Sequence, residues 1–277
     1  MSDNWIVEIL QNALNTWNDK LNEVWTLIST SPEAFKDGAV WNVIENVHGG
    51  LKAIGYGLLV LFFVMGVVKT CGSFTEIKRP EVAVKMFVRF ALAEAAITYG
   101  MELLMAILTV CQGVISEIMG SGGVGGQSAL SVPGTIMTAI ESVGFLDSIP
   151  LWIVSLLASL LVTVLSFVVV LTVYSRFFKL YFHAAIAPVA LSSFAGQPSQ
   201  SIGVSFLKSY AGVCLEGAII VLACVIYSAM STSAPAVTGA TAVNMVWSYI
   251  GELVFNLLVL VGAVRLADNT VKQMLGL

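Results

Sequence analysis

Charge is scarce in this 277-residue chain: Asp, Glu, Lys and Arg together make up 11% of it, where soluble domains carry about 25%. That deficit excludes an ordinary solvated globule. With 57% hydrophobic residues and a mean hydropathy of +0.90, it places the chain in a membrane. Histidine is limited to His48 and His183, and no His-Glu-x-x-His helix or other metal-ligand spacing occurs. There is no Gly-x-Ser-x-Gly elbow and no glycine loop ending in Gly-Lys-Ser/Thr, so serine hydrolysis and nucleotide hydrolysis both lack their residues. No basic-aromatic sheet of the kind that grips single-stranded nucleic acid is visible. None of the four cysteines (Cys71, Cys111, Cys214, Cys224) forms a Cys-x-x-Cys pair. They read as small apolar packing residues, not as a disulfide framework. The chain is therefore expected to be no enzyme, with no catalytic, cofactor-binding or metal-ligating residues and no cofactor. Residues 1–50 lack the basic start and apolar core of a secretory leader, so the first span is expected to act as its own insertion signal.

What the chain has is long apolar runs. Ile149–Tyr174 contains no charged residue, and 18 or more such residues read as a membrane-spanning helix. Further spans are expected at about 51–70, 92–118, 205–230 and 246–266, with the central one at 150–174. Gly50, Gly55, Gly57 and Gly66 offer small faces for close helix contact around the first span. Glu81–Met119 has no proline and reads as one helix of about 58 Å at ~1.5 Å per residue. Because the hydrocarbon core is only ~30 Å thick, its first turns, with Lys85 and Arg89, are expected to project into the cytoplasm. Ala96 and Gly100 form a small-xxx-small pair within it. Gly120–Gln127 reads as a glycine linker, and Ile136, Ala139, Ile140 and Val143 recur at helical spacing after it.

The first 50 residues are amphipathic. Trp5, Ile6, Ile9, Leu10, Leu14, Trp17, Leu21, Val24, Trp25 and Ile28 recur at helical spacing, and Asp3, Glu8, Asn15, Asp19, Lys20 and Glu23 fill the other positions. Two readings fit: a helix lying in the membrane interface with its Trp rings at headgroup level, or a helix packed on the protein's own outer face. Residues 1–50 are thus taken as an external amphipathic region and 51–277 as the membrane domain.

Charge then orients the spans. Lys69, Lys78, Arg79, Lys85 and Arg89 fall in one connection, and Arg176, Lys179 and Lys208 in the next but one. Arg265 and Lys272 lie at the C-terminal end, while 120–148 and 231–245 hold no Lys or Arg. By the positive-inside rule this gives five spans with the N-terminus outside and the C-terminus in the cytoplasm. The segment 182–197 is apolar but short, and Pro188, Gly196 and Pro198 punctuate it. A sixth span there would break the charge alternation, so a cytoplasmic-side re-entrant or interfacial elbow that Pro188 interrupts is preferred. The fold class is an all-α polytopic membrane protein with about five transmembrane helices, an N-terminal amphipathic helix and this elbow.

Ionisable residues at membrane depth are functional candidates: Glu94, Glu102, Glu216 and Glu252. They read as lumen-lining or interhelical hydrogen-bonding groups, or alternatively as the carboxylates of a small-molecule or ion transporter. The basic edge, Lys78, Arg79, Lys85, Arg89, Arg176 and Lys179, either sets topology and touches anionic lipid or meets an acidic partner or the DNA backbone.

The run Arg176-Phe-Phe-Lys-Leu-Tyr-Phe-His-Ala-Ala-Ile-Ala-Pro-Val-Ala-Leu191, with Gly196 and Pro198 after it, the five spans and the amphipathic N-terminal region resemble the TrbL-type polytopic subunits of type IV secretion and conjugation machines. The resemblance extends over roughly residues 50–270. It implies a non-enzymatic channel or scaffold subunit forming a homo-oligomeric ring in the bacterial cytoplasmic membrane. Its implied partners are other type IV secretion subunits including a cytoplasmic ATPase, membrane lipids, and the DNA or protein in transit.

Overall fold

The computed structural model describes residues 5–71, 80–121, 130–230 and 241–277. Lys78, Arg79, most of the glycine linker and most of the 231–245 connection lie outside the described residues, as does the side chain of Cys71. The described residues are helical and include no strand. The helices are α1 (Trp5–Ser29), α2 (Ala39–Cys71), α3 (Pro80–Thr98), α4 (Gly100–Ser121), α5 (Gly134–Ser142), α6 (Phe145–Leu191), α7 (Gln200–Met230) and α8 (Ala242–Leu275). Among them, five segments are long and apolar enough to cross a membrane: Phe35–Lys69, Gly100–Ser121, Ser148–Ala195, Gln200–Ala229 and Ala242–Leu275. Their outward faces carry large apolar side chains, such as Val60 and Val68 on α2, Leu160 and Leu171 on α6 and Phe255 on α8. In water such faces would be an aggregation liability; a bilayer covers them.

By contacts the chain forms two compact units. One comprises Met1–Ser29, Ile115–Ser175 and Ile219–Ala267. Here the apolar face of α1 is buried in protein: Ile6, Leu10 and Leu14 pack with Ile136 and Ile140 of α5, Leu151 of α6 and Tyr249 and Ile250 of α8. Trp17 is fully buried and only Trp5, at the start of α1, stands half exposed. The packed alternative for this helix is the one the structure adopts, since little of the apolar face is left for an interface. The polar face also binds. Asn18 Nδ2 donates to the Leu130 carbonyl (2.9 Å), the Leu130 amide donates back to Asn18 Oδ1 (3.1 Å), and the Val132 amide donates to Gln11 Oε1 (3.2 Å). Side-chain amides thus satisfy the backbone of the non-helical residues before α5, as buried backbone requires.

The other unit comprises Thr30–Val114, Arg176–Ala218 and Asp268–Leu277. It opens with a short 3-10 turn, Phe35–Gly38, in which Lys36, Asp37 and Gly38 take left-handed backbone angles. α2 then runs unbroken through residue 50, so the domain boundary expected there falls inside a helix. The expected single rod over 81–119 is two helices, α3 and α4, bent at Tyr99. The hydrogen bonds Tyr99 N to Ala95 O (2.9 Å) and Leu103 N to Tyr99 O (3.0 Å) continue across the bend. α6 continues through Ala184–Leu191, so this stretch is no separate span and Pro188 does not interrupt it. The chain reverses just beyond, in the 3-10 turn Ser192–Ala195 and residues 196–199, before α7. That turn packs against both α2 and α3.

Candidate functional site

Proline inside a helix removes the amide that would serve the carbonyl four residues earlier. For Pro188 that carbonyl belongs to Ala184, which is buried. His48 of α2 supplies the missing donor, with its Nδ1 2.7 Å from the Ala184 oxygen. A carbonyl only accepts, so Nδ1 carries a proton. His48 is 3% exposed, and its Nε2 has no hydrogen-bond partner among the described residues. Two turns along the same face of α2, a Cβ added at Gly55 would stand 2.8 Å from the Pro188 oxygen. One face of α2 therefore offers Pro188 both a donor and a gap, which is why the helix survives its proline.

The turn after α6 is built on glycine in the same way. A Cβ at Gly196 would stand 2.6 Å from the Phe62 oxygen of α2, and Gly66 faces the Gly196 Cα at 3.5 Å from its own would-be Cβ. Ser199 Oγ donates to the Ser193 carbonyl (2.8 Å) and fastens the reversal. Pro198 is exposed at its tip. Gly100, the small residue expected to make a helix contact, receives Leu191, whose Cδ1 would lie 2.9 Å from a Cβ there. Gly50 and Gly57 face open space.

The α2 face carries a stripe at four-residue spacing: His48, Lys52, Tyr56. Lys52 Nζ donates to the Thr98 carbonyl (2.9 Å), at the bend between α3 and α4. Thr98 Oγ1 donates to Glu94 Oε1 (3.0 Å), so Tyr56 OH, 2.8 Å away, donates to Thr98 Oγ1. The structure thus joins Glu94 to a bend-spanning relay whose other members the sequence reading did not single out. The signal was the i, i+4, i+8 spacing of His48, Lys52 and Tyr56 on one face of α2. Glu94 and Glu102 remain exposed on α3 and α4, among exposed Leu92, Leu103 and Val110. Glu252 is exposed on α8.

The second network ties α6, α7 and α8 together. Arg176 is 2% exposed; its Nε donates to the Val213 carbonyl (3.3 Å) and its Nη2 to that of Cys214 (3.4 Å). Gly217 makes room for it, since a Cβ there would meet the guanidinium carbon at 2.7 Å. Cys111 and Cys214 are buried free thiols, and the carbonyl of Cys214 is one of the two that hold Arg176. Lys179 Nζ reaches both oxygens of buried Glu216 (3.3 and 3.1 Å) and Asp268 Oδ1 (2.9 Å), and Lys272 holds Asp268 Oδ2 (2.7 Å). His183 Nε2 lies 3.1 Å from Ser209 Oγ one turn further along α6. Arg176 and Lys179 were expected at the cytoplasmic basic edge. Arg176 is buried against backbone carbonyls, and Lys179, 33% exposed, is paired with Glu216 and Asp268, so neither cation is without a partner, as an unpaired buried charge is far more costly than a paired one. Of the described edge, Lys85, Arg89 and Arg176 have no ion-pair partner among the described residues, and Arg176 is instead held by backbone carbonyls. Also among these, no three His, Cys, Asp or Glu side chains are placed to hold a metal ion.

Long apolar helices, outward apolar faces and polar groups satisfied internally define an all-α polytopic membrane protein. Residues 17–188, more than half of the chain, match the family described as TrbL/VirB6 plasmid conjugal transfer like protein, and the chain belongs to this family. No curated protein and no solved structure matches it. The matched stretch ends on Pro188 and includes His48, Gly55 and the α3–α4 bend. Membership makes the chain a conjugal transfer component whose partners are other components of such a machine.

Proposed function

We propose that the protein is a non-enzymatic channel or scaffold subunit of a type IV secretion system for conjugative DNA transfer, and that it forms a homo-oligomer in the cytoplasmic membrane. The observation carrying this reading is the match of residues 17–188 to the conjugal transfer family, together with five segments long and apolar enough to cross a membrane. Exposed Glu102 stands in the first turn of the span Gly100–Ser121, and exposed Glu94 precedes that span on α3. A carboxylate facing lipid costs up to about 3 kcal/mol at the centre of a span and less toward its ends. Facing a water-filled opening or a neighbouring copy it costs little, and an oligomer around an opening offers both settings.

The absence of Lys and Arg from 120–148 and 231–245 supports an external N-terminus and a cytoplasmic C-terminus. Energy then comes from a partner ATPase on the cytoplasmic side. The transporter alternative is weaker by one carboxylate, since Glu216 is already bound to Lys179. The test is DNA transfer frequency in a mating assay, with this gene deleted in frame from a working conjugative element and then restored. Transfer should collapse on deletion and return on complementation; unchanged transfer overturns the reading.

A further inference from the structure

Lys85 and Arg89 stand one turn apart on α3, and both line a cavity of about 440 Å³. Along the same helix the lining continues with Val88, Leu92 and Ala96, and Phe194 and Gln200 close the opposite side. The cations are at one end and the apolar wall at the other: at ~1.5 Å per residue, Ala96 lies roughly 10 Å along α3 from Arg89. Among the described residues, no carboxylate lines the cavity. Gln200 is the first residue of α7, so the positive end of that helix dipole adds to the two side-chain charges. Phe194 is held in place by Gly203, whose missing Cβ leaves room for the ring at 2.9 Å.

We propose that this cavity binds an anionic phospholipid. Its phosphate sits on Arg89 and Lys85, where a guanidinium gives paired hydrogen bonds and an ammonium a point charge. The start of an acyl chain lies on Leu92, Ala96 and Phe194. A zwitterionic lipid would bring its own cation into a site that already holds two, so the site selects net negative charge. An inorganic anion would leave the apolar wall empty. The α3 cations and the turn that reverses the chain thereby share one ligand. The inference needs only the membrane setting and stands apart from the conjugation reading.

The full-length protein, purified in mild detergent and stripped of lipid, is titrated with phosphatidylglycerol or phosphatidylcholine and read by native mass spectrometry. The anionic lipid should bind more tightly. Lys85→Gln combined with Arg89→Gln should weaken it about thirtyfold, the effect expected of two cations at an anionic surface. Ala96→Trp, which fills the apolar end and keeps both charges, should weaken it as well. Lys208→Gln with Arg265→Gln, which removes two exposed cations elsewhere, should leave it unchanged. Equal binding of the two lipids, equal losses in the two charge variants, or full binding by Ala96→Trp would each overturn the proposal. So would complete competition by inorganic phosphate, which would make this a simple anion site. If the charge variant fails to fold, Ala96→Trp and the lipid comparison decide.

Discussion

The carbonyl of Ala184 has its donor on a residue 136 positions away in the sequence. His48→Ala leaves that buried oxygen unpaired, and a loss of about 1–3 kcal/mol is expected. Adding Pro188→Ala should return most of it, because residue 188 then has an amide to give. A thermal-unfolding cycle over the two single variants and the double checks this, and strict additivity would remove the link. Gly55→Ala should cost about 1–3 kcal/mol, since the new methyl meets the Pro188 backbone. Gly57→Ala, facing open space, should be neutral or stabilising by up to about 1 kcal/mol. At this scale the sequence marked Pro188 and Gly196 and did not single out His48, Lys52 or Tyr56. Pro188 was legible as unusual, but a rule about prolines in helices is local. The residue that overrides it is brought there only by the packing of α2 on α6.

At the scale of the element, α1 was legible nearly residue by residue because helical periodicity reports which face is apolar. What covers that face was not, since lipid and protein interiors ask for the same side chains. The bend at Tyr99 was hidden for a different reason. No proline marks it, and its stabilising contacts, Lys52 and Tyr56, come from another helix. Charge counting does not show what the basic residues bind: the partners of Arg176 are the Val213 and Cys214 carbonyls and those of Lys179 are Glu216 and Asp268, all far along the chain. A prediction belongs here. Lys179→Met strips Glu216 of its cation while leaving it buried and should destabilise the α6–α7–α8 tie by about 3 kcal/mol. Lys179→Met with Glu216→Leu should recover much of that, as paired apolar replacements do. Denaturation of the three variants in detergent checks it, and a double variant as unstable as the single would count against the pairing.

For the whole molecule, composition alone placed the chain in a bilayer, and the count of five spans follows from the length of its apolar runs. Topology is open to direct test. In a background without the native cysteines, Ser131→Cys and Gln197→Cys both lie at exposed positions. An impermeant thiol reagent on intact cells should label the first and spare the second; the opposite pattern would reverse the proposed orientation. Which apolar faces meet lipid and which meet another copy was not legible, because hydropathy averages over the whole circumference of a helix. The mass of the complex extracted in mild detergent from cells active in DNA transfer is therefore the measurement to make. A particle whose mass is several times that of the 29.5 kDa chain is predicted. A single chain that still supports full transfer would contradict the account.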